Sequence, residues 1–564
     1  MRINSFKTKN GQDVLLNHKI TVFVGPNNSG KSQTLQDIQY KLEGNQNYRP
    51  VIIKDYNFQL PLNESELKLN IGFKDSIYNV EHYTIEGIQS DLLSKYNVEL
   101  GKYQFYQLTQ SHSEEIFYQH FGKFFVASLN SSTRLKLVEQ VQAFVPQEEY
   151  PSNLLQSLYV KTELEPILSK AFKEAFNMDL KLDYSELMRF CLRVSSNMPL
   201  IPEDARDALA VTKNIPKIDN QGDGFKSFTG IILGLLMSQN RIILLDEPEA
   251  FLHPAQARFL GKWIGDNIDK FNSQILICTH NSNFLSGILS SDNAVDIYRL
   301  NRSQNITEYN LLPAIATEKL YKSPLLSSQR VIEAIFHKGV VVCEADADRA
   351  IYQSVASVEL SSNQEVLFIH SHNKQTLKDV ADILIGINIP VALIADIDIL
   401  NSKDDLSKII DTLNIENKSE LLITQKRIAD AVSEISDEIV IEKVKEQLQI
   451  LITQIEAREH SLSGLKGAYN RVEDEFKKWK EVKEKGIIGM PESVREEAER
   501  LILKLNTKGL FIVPVGELES WIELGIKKKN KWIIPALNRI YNKETPEALK
   551  NFISEIVSYL LGNK

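Results

Sequence analysis

The chain has 564 residues, with 43% hydrophobic and 25% charged, a balance that excludes disordered and fibrous classes and allows several buried cores. A formal net charge of -9 excludes a uniformly basic coat for nucleic acid, so any such contact needs a local basic patch or bound cations. Three cysteines, Cys191, Cys278 and Cys343, form no Cys-x-x-Cys pair and read as buried reduced thiols, not a zinc site or disulfide framework.

In chain order, residues 1–40 read as strand, strand, loop and helix. The β-branched run from Ile20 to Val24 stops at Gly25-Pro26, and a helix starts near Lys31. Residues 50–130 mix short strands and helices. Residues 150–210 read as mostly helical from their apolar spacing and supply a candidate dimerisation segment. A second apolar strand, Ile242 to Leu245, leads into a helix from Ala255 to Ile264. A third, Gln274 to Cys278, ends at Thr279-His280. This alternation predicts an α/β fold with a largely parallel sheet. A domain boundary is expected between Lys322 and Lys338, followed by strands from Gly339 to Cys343 and from Val391 to Ala395. Residues 403–508 are rich in Glu, Lys and Leu and read as helices, in part a hairpin or short coiled coil. The β/α pattern resumes at Gly509. The expected division is a first α/β domain over 1–325 and a second over 326–402 and 509–564, with 403–508 as a helical insertion. The opening residues lack the apolar core of a secretion signal. The longest apolar run, Ile231 to Met237, is too short for a bilayer, so a cytoplasmic protein without membrane contact is expected.

Gly25-Pro-Asn-Asn28-Ser-Gly30-Lys31-Ser32 fits GxxxxGK[ST] between an apolar strand and a helix. Glycines permit a tight loop whose N–H groups face phosphate oxygens, and the helix N-terminus adds positive dipole. Lys31 would reach the β- and γ-phosphates of ATP and Ser32 would ligate Mg²⁺. Asp246, at the end of an apolar strand, is a second Mg²⁺ ligand, and Glu247 is the candidate general base. His280 is expected at the γ-phosphate, although a lone histidine is more often structural. Gln156 is a candidate metal- or water-sensing glutamine, and Arg134 a weak candidate for nucleotide contact. Gly222-Asp-Gly224 opens an apolar helix whose amides could grip a second nucleotide's γ-phosphate.

Two acidic strand ends follow. Glu344 closes the strand from Gly339, with Asp348 four residues on, and Asp396 and Asp398 follow the strand from Val391. On an extended backbone, residues two apart share a face, so Asp396 and Asp398 would converge on one site that Glu344 reaches from a neighbouring strand. Clustered carboxylates repel unless a hard cation such as Mg²⁺ or Mn²⁺ sits among them. Such ions can activate water against a phosphodiester. Acids that merely flank strands are the plain alternative. Glu517 or Glu519 could add a ligand for a second metal, or could serve a helix dipole. Lys527-Lys528-Lys529, with Trp532 nearby, could stabilise a cleavage transition state or be a solvated charge run. Lys528, the middle of the three, is the catalytic candidate.

The loop, the degenerate signature at Gly224, the Asp246-Glu247 pair and His280, in that order, resemble the ABC ATPase superfamily, on the branch that holds SMC and RecF proteins. That resemblance implies ATP held between two such modules, hence a homodimer or higher homo-oligomer. The later acids resemble the Toprim fold, in which Glu344, Asp348, Asp396 and Asp398 would be metal ligands. Ala345 stands where that family has glycine. The order of the two modules resembles the OLD (overcoming lysogenisation defect) family, related to Gabija and retron-associated nucleases. The resemblance implies a Mg²⁺-dependent DNA endonuclease or nickase in anti-phage defence, with a defence-system protein or retron nucleic acid as a further partner. The competing expectation is an ATP-driven DNA-binding or sensing scaffold with a non-catalytic second domain. A topoisomerase lacks a home for its tyrosine domain here, and a transporter has no use for the acids.

Overall fold

The computed structural model describes residues 1–313, 332–360, 365–371, 374–434, 437–456, 462–475, 479–526 and 529–562. The chain divides into two units, Met1–Phe336 and His337–Lys564. The division falls eleven residues beyond the expected 325, just after a 3-10 turn at Ala334–Phe336.

In the first unit, a six-stranded sheet runs in the order Ile306–Leu311, Val295–Ser303, Ile20–Val24, Gln274–Cys278, Ile242–Asp246, Val126–Leu129. All neighbours are parallel except the first pair. Ile20–Val24 and Gln274–Cys278 are buried at every residue, as central strands covered on both faces must be. The strand that carries Thr279-His280 therefore lies between the P-loop strand and the acidic strand. On one face, Phe23, Leu244 and Leu276 share a core with Leu35, Ile38 and Leu42 of the helix Lys31–Leu42. An antiparallel sheet of Arg2–Thr8, Asp13–Leu15 and Ile53–Gln59 packs into the same core through Ile3, Phe6, Val14 and Ile53.

The mostly helical expectation for 150–210 is corrected. Helices Leu154–Val160 and Glu165–Phe176 are followed by an antiparallel hairpin, Asp179–Asp183 with Arg189–Ser195. In its first strand, buried Leu180 and Leu182 flank exposed Lys181, a strand period that the preceding helical spacing had masked.

The second unit holds a four-stranded parallel sheet in the order Val366–His370, Gly339–Cys343, Val391–Ala395, Leu510–Ile512. Val341, Cys343, Phe368, Ala392, Ile394 and Phe511 face a core shared with helices Asp346–Glu359, Lys529–Tyr541 and Glu547–Leu561. Helices Lys374–Gly386 and Glu492–Asn506 pack on the same strands and leave helices on both faces. Residues 403–508 are thus only partly an insertion. Helices Asp437–Glu456 and Leu462–Glu475 pack on each other, whereas Lys403–Thr412, Lys418–Ser433 and Glu492–Asn506 build the layer beside the sheet. All three cysteines are buried and free. No described helix is long and apolar enough to cross a membrane.

Candidate functional site

The phosphate loop follows Val24, where the backbone must turn sharply. Gly25 has φ +139, and a Cβ there would lie 2.4 Å from the Leu300 carbonyl oxygen, so only glycine fits. Gly30 at φ +101 precedes the helix, and Asn28 takes φ +64, a conformation asparagine tolerates. The Lys31 ammonium donates to the carbonyls of Gly25 at 2.9 Å and Pro26 at 2.8 Å. Burial holds its pKa below the ordinary lysine value, against the opposing pull of Cys278, Glu247, Asp246 and Glu249. The Ser32 hydroxyl donates to Asp246 Oδ1 at 3.0 Å, so loop and acidic strand meet across the intervening strand. Burial raises the Asp246 carboxyl above its usual range.

Glu247 leaves the strand with φ +48, and its N–H donates to the Cys278 carbonyl at 2.9 Å. His280 Nδ1 lies 3.3 Å from Glu247 Oε1 and 3.5 Å from Glu249 Oε1. Glu249, buried, escaped the sequence reading. Its Oε1 accepts from the Thr279 hydroxyl at 2.9 Å and the His280 N–H at 3.2 Å, while Oε2 is buried with no hydrogen-bond partner. Burial raises its pKa, opposed by the hydrogen bonds from Thr279 and His280. Its signal was the second glutamate of Asp246-Glu-Pro-Glu249.

Arg134 differs from the expected nucleotide contact. It is fully buried and spans the strand end from beneath, donating 2.8 Å bonds to the carbonyls of Asp246 and Glu247. Burial lowers its pKa to about 10. Gln156 is also committed elsewhere: its Oε1 accepts from the Ser152 N–H and hydroxyl, and its Nε2 donates to the Gln142 carbonyl at 2.9 Å. These contacts make it a strut between loop and strand. Gly224 sits in the first turn of the helix Asp223–Met237, where a Cβ would meet the Phe251 carbonyl at 2.8 Å.

In the second unit the acids emerge from the carboxyl ends of adjacent strands. Glu344 follows Cys343, and Asp396 follows Ala395. The Asp396 N–H donates to Glu344 Oε1 at 3.2 Å. The Asp396 pKa is raised to about 8, first by burial and then by the charges of Glu344, Asp348 and Asp398, with Lys483 opposing. Asp398 reaches this neighbourhood by a different route from the one expected. Residues Ile397–Asn401 form a 3-10 helix, so the face-sharing of an extended strand does not apply. Asp348 caps its own helix, accepting from the Ala345 N–H at 3.0 Å. Among the described residues, the trio whose ligand atoms all lie within 4.8 Å of one another is instead Asp183, Glu186 and Cys191. Arg193 binds the first two of these at 2.8 and 3.0 Å, Lys217 binds Glu186 at 2.8 Å, and burial lifts the Cys191 thiol to about 11, so that trio is an ion-pair knot. The Asp396 group is gathered in charge but not closed on one point.

Lys483 was not singled out in the sequence because it lies in the stretch read as an insertion. Its Nζ is 3.4 Å from Asp398 Oδ2 and 4.0 Å from Glu517 Oε2. Of the two late acids it is thus Glu517 that shares a cation with Asp398, while Glu519 lies in the 3-10 turn Leu518–Trp521. Lys527 and Lys528 lie outside the described residues, and Lys529 opens a helix. Trp532 is no nucleic-acid contact: it is 1% exposed in the core, and its indole N–H donates to the Ile522 carbonyl at 3.0 Å.

Residues 197–286, from before the signature helix to beyond His280, match the family model described as "AAA domain, putative AbiEii toxin, Type IV TA system". No curated protein matches the chain. Among solved structures, an SMC head bound to the C-terminal winged-helix domain of ScpA is similar at 14% identity and TM-score 0.34, covering 57% of this chain and all of that one. The SMC head domain from Thermotoga maritima is similar at 12% identity and TM-score 0.29, covering 56% of this chain and all of that one. The first unit thus carries a segment that matches an ATPase-type domain, beside the phosphate-loop sequence Gly25 to Ser32.

Proposed function

We propose that the chain is a divalent-metal-dependent nuclease, acting on DNA, whose cleavage is gated by an ABC-type ATPase module working as a homodimer. The resemblance to the OLD family extends this reading to anti-phage defence. The observation that carries it is the Asp396 carboxyl, held near pKa 8 beside Glu344, Asp348 and Asp398 at the carboxyl edge of a parallel sheet. An acid so unfavourable to ionise is a poor structural choice and a good cation ligand.

Glu344, Asp396 and Asp398, with Asp348 beside them, would hold Mg²⁺ or Mn²⁺, since their donors are all hard oxygens. Such an ion supplies water activation and charge neutralisation at a scissile phosphate. The chain's own part is to gather the acids, to bury Asp396, and to release its proton when a cation is taken up. In the ATPase unit, Lys31 and the loop amides would bind the β- and γ-phosphates, and Ser32 and Asp246 would hold the nucleotide's Mg²⁺. Glu247 takes the proton of the attacking water, with His280 beside it.

Plasmid cleavage with Mg²⁺ or Mn²⁺ tests the reading. Wild type should nick or cut, and Asp396→Ala should lose at least about a hundredfold, the scale of removing a metal ligand. A second reading, an ATP-driven DNA-binding scaffold, draws on Lys483, whose ammonium already answers part of the acid charge. Inactivity of wild type across metals, nucleotides and substrates would favour it.

A further inference from the structure

Lys483 is held at the acids by its backbone as well as by charge. It lies near the end of the helix Lys480–Lys485, which stops at Gly486 with φ +64. The Lys483 carbonyl abuts Gly516, where a Cβ would lie only 2.1 Å from it, and Gly516 itself has φ +110. A Cβ on Gly486 would likewise lie 2.0 Å from the Pro514 carbonyl. Ile487 N–H donates to the Pro514 carbonyl at 3.0 Å, and the Ser520 hydroxyl donates to the Glu484 carbonyl at 3.0 Å. On its other side, the Gly516 carbonyl accepts from the N–H of Ile397, the residue between Asp396 and Asp398, at 3.2 Å. Two glycines thus let three chain segments meet backbone to backbone, and the result delivers one ammonium to Asp398 and Glu517.

We propose that Lys483 is a built-in counter-ion of the carboxylate site, which holds the acids together without metal and must be displaced when a divalent cation binds. This rests on the reading of those acids as a cation site. An ammonium 3.4 Å from Asp398 competes with a divalent ion for the same oxygens and repels it at short range. The cost of metal entry is therefore set by a residue that is not itself a ligand. Weak metal binding would keep the site idle until a further anion, such as a phosphodiester, gives the displaced ammonium a new partner.

The full chain, free of nucleotide, is titrated with Mn²⁺ by calorimetry, and the heat that Asp396→Asn abolishes is assigned to this site. Lys483→Gln should bind Mn²⁺ roughly tenfold more tightly than wild type, and Lys483→Arg, which keeps the charge, should stay near wild type. The metal-free melting temperature of Lys483→Gln should fall, and Mn²⁺ should restore it by a larger increment than in wild type. Unchanged or weaker Mn²⁺ binding by Lys483→Gln, with wild type still binding, overturns the counter-ion role alone. If wild type gives no heat that depends on Asp396, the cation site itself falls, and the counter-ion role with it.

Discussion

Both candidate sites set a lysine against acids at the carboxyl ends of parallel strands, but the two lysines are spent differently. Lys31 donates to two neutral carbonyls, and its neighbour Asp246 is answered by the Ser32 hydroxyl. Its positive charge is left for an incoming anion, as a phosphate loop requires. Lys483 instead sits on carboxylates, and the acids around it still outnumber it, so that region is left wanting positive charge. In the proposed reading, the first site awaits an anion and the second a cation. The lesson is that the partner of each lysine, more than its presence, reports the charge of the ligand.

The largest effect that would break this contrast is at Glu247, the proposed general base. Glu247→Gln should slow ATP hydrolysis by roughly a thousandfold while leaving nucleotide binding intact, read by phosphate release and equilibrium binding. Hydrolysis near the wild-type rate would remove Glu247 from the chemistry. Arg134→Met comes next. It strips two buried carbonyls of their donors, and unfolding of the first unit should become easier by about 3 kcal/mol in denaturant titration. An unchanged midpoint would show that the acidic strand end needs no brace.

The Asp396 carboxyl sharpens the contrast through pH. Its folded pKa is raised to about 8 from 3.8, so between those values the folded state holds a proton that the unfolded state has released. Its stabilising contribution is full below 3.8 and is lost as pH rises, the loss being complete above about 8. Metal-free protein should therefore lose stability between pH 6 and 8 by up to about 1.4 kcal/mol per pH unit, and Asp396→Asn should remove that slope. Saturating Mn²⁺ should flatten it too, and a slope untouched by Asp396→Asn would assign it to another group. The smallest effect is at Gln156, where alanine should cost about 1 kcal/mol of stability and leave nucleotide affinity unchanged. A loss of affinity would return Gln156 to the nucleotide site.

The two sites also differed in how far the sequence exposed them. Gly25 to Ser32 is contiguous, and its strand and helix flank it directly, so loop, lysine and hydroxyl were legible as one unit. Asp246, Glu247 and His280 were legible because each lies at or just beyond the end of an apolar strand. Glu249 and Arg134 were not, because their roles come from burial beneath the strand ends, which no local spacing encodes. In the second unit, Glu344 and Asp396 followed from the same strand-end logic. Asp398 was singled out for a strand geometry that a 3-10 turn replaces. Lys483 was invisible, since a lysine in a Glu- and Lys-rich helix looks like any solvated charge.

The sequence by itself determined the alternating α/β plan, the phosphate loop and the acids at the strand ends, because backbone turns and buried strands are local demands. Only the tertiary structure decided which strand lies between the loop and the acidic strand, and that a helix far along the chain delivers Lys483 to Asp398. Those outcomes depend on sheet order and on close backbone packing at Gly486 and Gly516. Electrostatic partnership acts through space, and distance along the chain carries no record of it.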